Sequence, residues 1–167
     1  MTTPIRLRLV AGSALGPLVK NGLQAVERGH VRDLIEDTAR TSFEDSLDLD
    51  AALQEEYPED ARWDYLLGHA ASGNVVALEP HSAKNDQISA VVQKRKAARA
   101  QLRDHMKDGS TISHWYWVAS GRVDFAPTEK AIRVLEQNGI TFVGRKLLPK
   151  HLPESGTIST VQSKRRK

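Results

Sequence analysis

Hydrophobic and polar positions divide the chain into two textures. The first runs to about residue 60. "IRLRLV" (5–10) alternates and predicts a short first strand, closed by the turn-forming "GSALGP". From Leu18 to about Thr41 the spacing becomes helical. Leu18, Leu23, Val26, Val31, Leu34 and Ile35 share one stripe, weakened at Gly22 and Gly29. Ser42, with Asp45 three residues on, reads as a capped helix start. A shorter helix is expected over about 49–56, ended at Tyr57 by Pro58.

The second texture begins at Arg62. "RWDYLLGH", the turn "AASGN" and "VVALEPH" predict a β-hairpin. Residues 85–109 predict a helix with a buried stripe of Ile88, Val91, Val92, Ala98 and Leu102. Asn85 or Asp86 is its expected cap, and Gly109 its stop. "ISHWYWVASG" (112–121) predicts a buried strand, 127–139 a helix and 140–148 a last strand. The fold class is α/β, a mixed central β-sheet flanked by helices. The unit 112–148 should cross over right-handed between parallel strands. Residues 1–152 form a single expected domain, and 153–167 a flexible basic tail.

Composition narrows the setting. The absence of cysteine excludes disulfides and thiolate metal sites. No apolar run approaches the roughly 18–20 residues of a membrane helix, and the arginines at positions 6 and 8 make a poor signal peptide. A cytoplasmic protein away from membranes is expected. The net charge of +3 conceals an asymmetry: residues 27–64 carry −9 and residues 65–167 carry +9. The basic part suits a polyanion, and the acidic segment 33–60 suits a basic partner protein. The two parts can equally satisfy each other.

The chemistry concentrates in "VVALEPH". Alternation puts Ala77, Glu79 and His81 on one face of the strand and Val76, Leu78 and Pro80 on the other. Asp64 is the sole acid of the preceding strand, and a hairpin brings it beside Glu79. Two carboxylates with a nearby imidazole suit a hard divalent cation, Mg²⁺ or Mn²⁺, with His81 as base or water-orienting group. The plain alternative makes Glu79 a helix cap or the ion-pair partner of Lys84, and Asp64 and His81 structural.

Asp64, Glu79 and the helix after them resemble, in order and spacing, the PD-(D/E)XK nuclease superfamily. The likeness covers residues 23–148. It implies a restriction-endonuclease-like core of helix, hairpin, helix, strand, helix and strand. Asp64 takes the place of the motif Asp and Glu79 that of the Glu. Glu36, on the first helix, is the nearest match to a further acid. His81 stands where the family has Lys, and Pro80 lies inside the motif. The resemblance therefore implies that Lys84 or Lys94 supplies the missing charge, with Lys94 offered to the phosphate.

Two further stretches bear on partners. Lys94, Lys96, Arg99 and Arg103 lie off the apolar stripe of their helix and form an expected nucleic-acid-binding face. Its alternative is a solvated face, with Arg95 and Arg99 pairing to the acidic segment. Trp115 and Trp117 share one strand face, with Tyr116 on the other, as expected of core. Phosphate-binding glycine loops and a G-x-S-x-G elbow are absent from the sequence. Two functions follow: a metal-dependent nuclease, or an inactive module of the same fold that binds nucleic acid or a protein.

Overall fold

The computed structural model describes residues 2–123 and 128–154. Its centre is a six-stranded mixed sheet with strands in sequential order. The strands are β1 (Lys20–Asn21), β2 (Phe43–Asp48), β3 (Tyr65–His69), β4 (Val75–Ala83), β5 (His114–Val123) and β6 (Ile140–Phe142). Neighbours from β1 to β4 are antiparallel, whereas β4, β5 and β6 are parallel. The parallel half needs crossovers. These are α5 (Ile88–Leu102) between β4 and β5, and α6 (Glu129–Gln137) between β5 and β6. The expected hairpin, both carboxy-terminal helices and the parallel pairing are therefore present.

The two faces of the sheet carry separate cores. On one face Leu66, Ala77, Trp115 and Trp117 pack with Val91, Ala98 and Leu102 of α5 and with Leu49 and Leu53 of α4 (Leu49–Leu53). Ile5 of α1 (Pro4–Arg8) joins them. On the other face Leu67, Val76, Leu78, Tyr116 and Val118 pack under Leu34 of α2 (Arg28–Leu34) and Ala39 of α3 (Asp37–Arg40). The alternation read from "VVALEPH" and "HWYW" matches these faces, and the aromatic strand is core.

The amino-terminal third departs from expectation. The predicted strand 5–10 is instead helix α1, with Pro4 in its first turn. Ile5 and Leu9 are buried, while Leu7 is 48% exposed, so the spacing in use is i, i+4 rather than i, i+2. The predicted long helix 18–41 divides into a 3₁₀ turn, edge strand β1, a turn and two short helices. Its stripe divides too: Leu18 is 46% exposed, and Val26, Leu34 and Ile35 enter the second core.

The predicted capped helix at Ser42 is strand β2. Asp45, read as its capping partner, is fully buried and caps α1 from a distance. Its carboxylate accepts the Thr3 hydroxyl and the backbone N–H groups of Ile5 (3.0 Å) and Arg6 (3.4 Å). Gly68, opposite Asp45 on β3, makes room for this: a Cβ there would lie 1.9 Å from Asp45 Oδ1. At the carboxy-terminal end, β6 stops at Phe142 rather than running to 148, although Leu147 bridges to Ile35. The expected helix start at Pro127, and the tail apart from Pro153 and Glu154, lie outside the described residues. Among the described residues, no helix is long and apolar enough to cross a membrane.

Candidate active site

The hairpin register pairs Tyr65 with Leu78, which sets Asp64 against Glu79. The Asp64 backbone N–H donates to Glu79 Oε1 at 2.9 Å. Glu79 is fully buried. Its other oxygen, Oε2, meets the Lys94 ammonium, which also lies 3.4 Å from Asp64 Oδ1. His81 is next on the same strand face, with Nδ1 3.5 Å from Glu79 Oε2. Its Nε2 is 2.7 Å from Gln87 Oε1. With that oxygen accepting, Nε2 carries the proton. Asp64, Glu79, His81 and Lys94, all expected at the site, come together.

Local sequence explains the placement. In α5, Lys94, Ala98 and Gln101 recur at i, i+4 and i+7 and face the sheet. Ala98 is buried, and its small side chain fits beneath the helix. Gln101 Nε2 donates to the Ala61 carbonyl at 2.9 Å, tying the helix to the segment that carries Asp64. Trp117, opposite Glu79 on β5, donates its indole N–H to the His81 carbonyl at 3.1 Å. The base of the site is thus rigid strand backbone.

The charges are unbalanced. Two carboxylates face one ammonium, and burial removes water's help. Burial, reinforced by the charge of Glu79, pushes the Asp64 carboxyl up to about 6, although Lys94 pulls the other way. For Lys94, burial acts to lower the pKa, but the charges of Glu79 and Asp64 outweigh it and the value is raised. The hydrogen bond to Glu79 raises His81. These are the signs of a site short of positive charge.

A divalent cation would meet that shortage. Asp64 and Glu79 supply the carboxylate oxygens, and the Asp64 side chain keeps 28% of its surface open. Mg²⁺ commonly takes one or two carboxylates and retains waters, so Asp64 and Glu79 are the residues that would hold it, with Lys94 giving way at Glu79. Among the described residues, no three His, Asp or Glu side chains converge as a metal-binding group. The inner-side cation is Lys94 rather than a third acid.

Other expected residues lie elsewhere. Glu36 pairs with Lys146 at 3.9 Å, and its neighbour Ile35 belongs to the opposite core. Lys84 is exposed, and Lys94 is the lysine that reaches the carboxylates. That also corrects the basic face, because Lys94 turns inward. Lys96, Arg99 and Arg103 instead line a groove of about 700 Å³ together with Arg95 and Lys107. Among the described residues, none of these pairs with the acidic segment. Asp33, Glu36, Asp37, Asp50 and Glu56 of that segment pair with Arg32, Lys146, Arg40, Arg62 and His105.

Sequence reasoning missed Gln87 and Lys107, and offered Arg95 only as a partner of the acidic segment. Gln87 gave no signal, since it is the N-cap residue of α5 whose side chain turns away to His81. Arg95, Arg99 and Arg103 did give one, a run of i, i+4 spacings. No family model matches the chain, and no curated protein or solved structure matches it.

Proposed function

We propose that the protein is a PD-(D/E)XK-like nuclease with a restriction-endonuclease-like core, hydrolysing phosphodiester bonds of nucleic acid with Mg²⁺ or Mn²⁺. The reading rests on one observation: Asp64, Glu79 and Lys94, from three segments, converge on one point of a β-hairpin flanked by a crossover helix. Asp64 and Glu79 would hold the ion. When bound, it supplies Lewis-acid polarisation of the phosphate and a water of lowered pKa. Lys94 sets a positive charge beside the carboxylates, where a phosphate oxygen would gain most from it. His81, held between Glu79 and Gln87, orients or accepts a proton from the attacking water. Its imidazole stands at the position of the family's lysine, and Lys94 supplies the displaced charge.

A second reading has its own support. Lys94 already neutralises Glu79, and no third acidic or imidazole ligand joins them among the described residues. On that reading the cluster is a structural ion pair and the protein an inactive module of the same fold that binds nucleic acid.

A cleavage assay separates the two. Linear DNA, circular DNA and RNA are incubated with Mg²⁺ or Mn²⁺ and the natural protein, Asp64→Asn or Glu79→Ala. The nuclease reading expects metal-dependent cleavage that falls at least 100-fold in both variants. Circular dichroism on Asp64→Asn, whose side chain is partly open, shows that the fold persists. Cleavage undiminished in both variants, or no cleavage by the folded natural protein, overturns it.

A further inference from the structure

The groove beside α5 asks for a ligand of its own. Arg95, Arg99 and Arg103 follow at i, i+4 and i+8, about 6 Å apart along the helix. Lys96 and Lys107 widen the positive surface, and among the described residues Asp108 is the only acid lining it. Lys96, Arg99, Arg103 and Lys107 are exposed. The floor is Trp115, with the Arg95 guanidinium 5.2 Å above its ring. Gly139 leaves space for that guanidinium: its φ is +72°, and a Cβ there would lie 2.6 Å from Arg95. Arg95 is therefore held between the ring and Gly139, yet its buried Nε has no hydrogen-bond partner. Burial and the charge of Arg99 lower its pKa. Like charges stacked along one helix face are unfavourable unless an anion joins them.

We propose that this groove holds the phosphodiester backbone of a nucleic-acid strand, as a binding surface separate from the carboxylate centre. It deepens the nuclease reading by placing the strand along α5, beginning at Arg95, one residue from Lys94. The spacing of the cations suits a polymer of regularly placed charges better than a single small anion. Trp115 is buried, so the contact is with phosphates rather than stacked bases, and it carries no sequence preference.

The test is fluorescence anisotropy with fluorescein-labelled 20-nucleotide DNA, its duplex and the matching RNA, in EDTA, over a range of salt. The natural protein is compared with Arg99→Ala/Arg103→Ala/Lys107→Ala. A control lacks three other exposed cations, Lys20, Arg28 and Lys150. The groove variant should lose about 30- to 100-fold in affinity, with the log–log salt slope reduced by about 2 to 3. The control should lose far less. Relative affinities for the three probes then identify the preferred strand. Equal losses in both variants, an unchanged slope, or no binding by the natural protein overturn the proposal. EDTA separates this outcome from the centre's. Binding lost in the groove variant while the natural protein never cleaves would retain the groove and discard the nuclease. Cleavage with binding undisturbed in the groove variant would do the reverse.

Discussion

Asp45 and Glu79 are both fully buried carboxylates on central strands of one sheet. They differ in what satisfies them. Asp45 takes a hydroxyl and two backbone N–H groups at the start of α1, with no second carboxylate in contact among the described residues. Glu79 takes one backbone N–H and a lysine on a long side chain, and a second carboxylate shares that lysine. The first arrangement is closed: every partner is fixed by the fold, and nothing is left to exchange. The second holds a cation on a flexible stem beside charge that it does not fully neutralise. Burial of an acid is therefore no mark of function by itself. On the proposed reading, the mark is an exchangeable partner together with surplus charge.

The sharpest way to break this comparison is to remove Asp45. Asp45→Ala leaves the donors of α1 unpaired in the interior and is expected to cost about 3 to 5 kcal/mol, read by urea denaturation. A loss below about 1 kcal/mol would show that Asp45 is not the fixed staple described here. Gly68→Ala attacks the same carboxylate from β3, by putting a methyl group where Asp45 Oδ1 now lies. An expected loss of about 2 to 3 kcal/mol should shrink when the substitution is made on Asp45→Ala, because the two share one contact.

The smallest effect has the opposite sign. The Asp64 carboxyl sits at about 6 against an ordinary 3.8, so the native state holds this proton more tightly than the unfolded chain does. Its contribution to stability is complete below about pH 4 and is lost as pH rises through about 6. Asp64→Asn should therefore be more stable than the natural protein at pH 8, by about 1 to 2 kcal/mol, and close to it at pH 4. Thermal melts across that range read the difference directly. A variant less stable at pH 8 would mean that the Lys94 contact outweighs burial and the repulsion by Glu79.

The same contrast governs what could be read from the sequence. The hairpin, α5, β5 and α6 were legible because their signals are local: glycine–asparagine turns, alternation in "VVALEPH" and a clear apolar period after Ile88. Glu79 and His81 followed from strand alternation, and Asp64 from the hairpin that brings it beside Glu79. The first 60 residues were not legible, because what decides them lies far away in sequence. Ile5, Leu7 and Leu9 fit a strand or a helix equally, and the Asp45 carboxylate tips them into a helix from forty residues away. Ser42 and Asp45 have capping-box spacing, yet strand pairing to β3 overrides it. In α5 the lysines look alike in sequence. Lys94 turns inward because Glu79 is buried beneath it, and that fact belongs to the sheet.

Trp115 and Trp117 connect the cationic groove and the carboxylate cluster to something observable. Trp115 lies under Arg95 in the groove, in edge contact with Trp63 at 5.0 Å. Trp117 donates its indole N–H to the His81 carbonyl beside the carboxylates. The protein thus carries an intrinsic optical probe beneath each surface. A polyanion bound at Arg95, as proposed, would change the field across the Trp115 indole, and a cation bound at Glu79 would change it across Trp117. With Trp115→Phe and Trp117→Phe to assign the signals, the emission of the unlabelled chain can say which surface was occupied first.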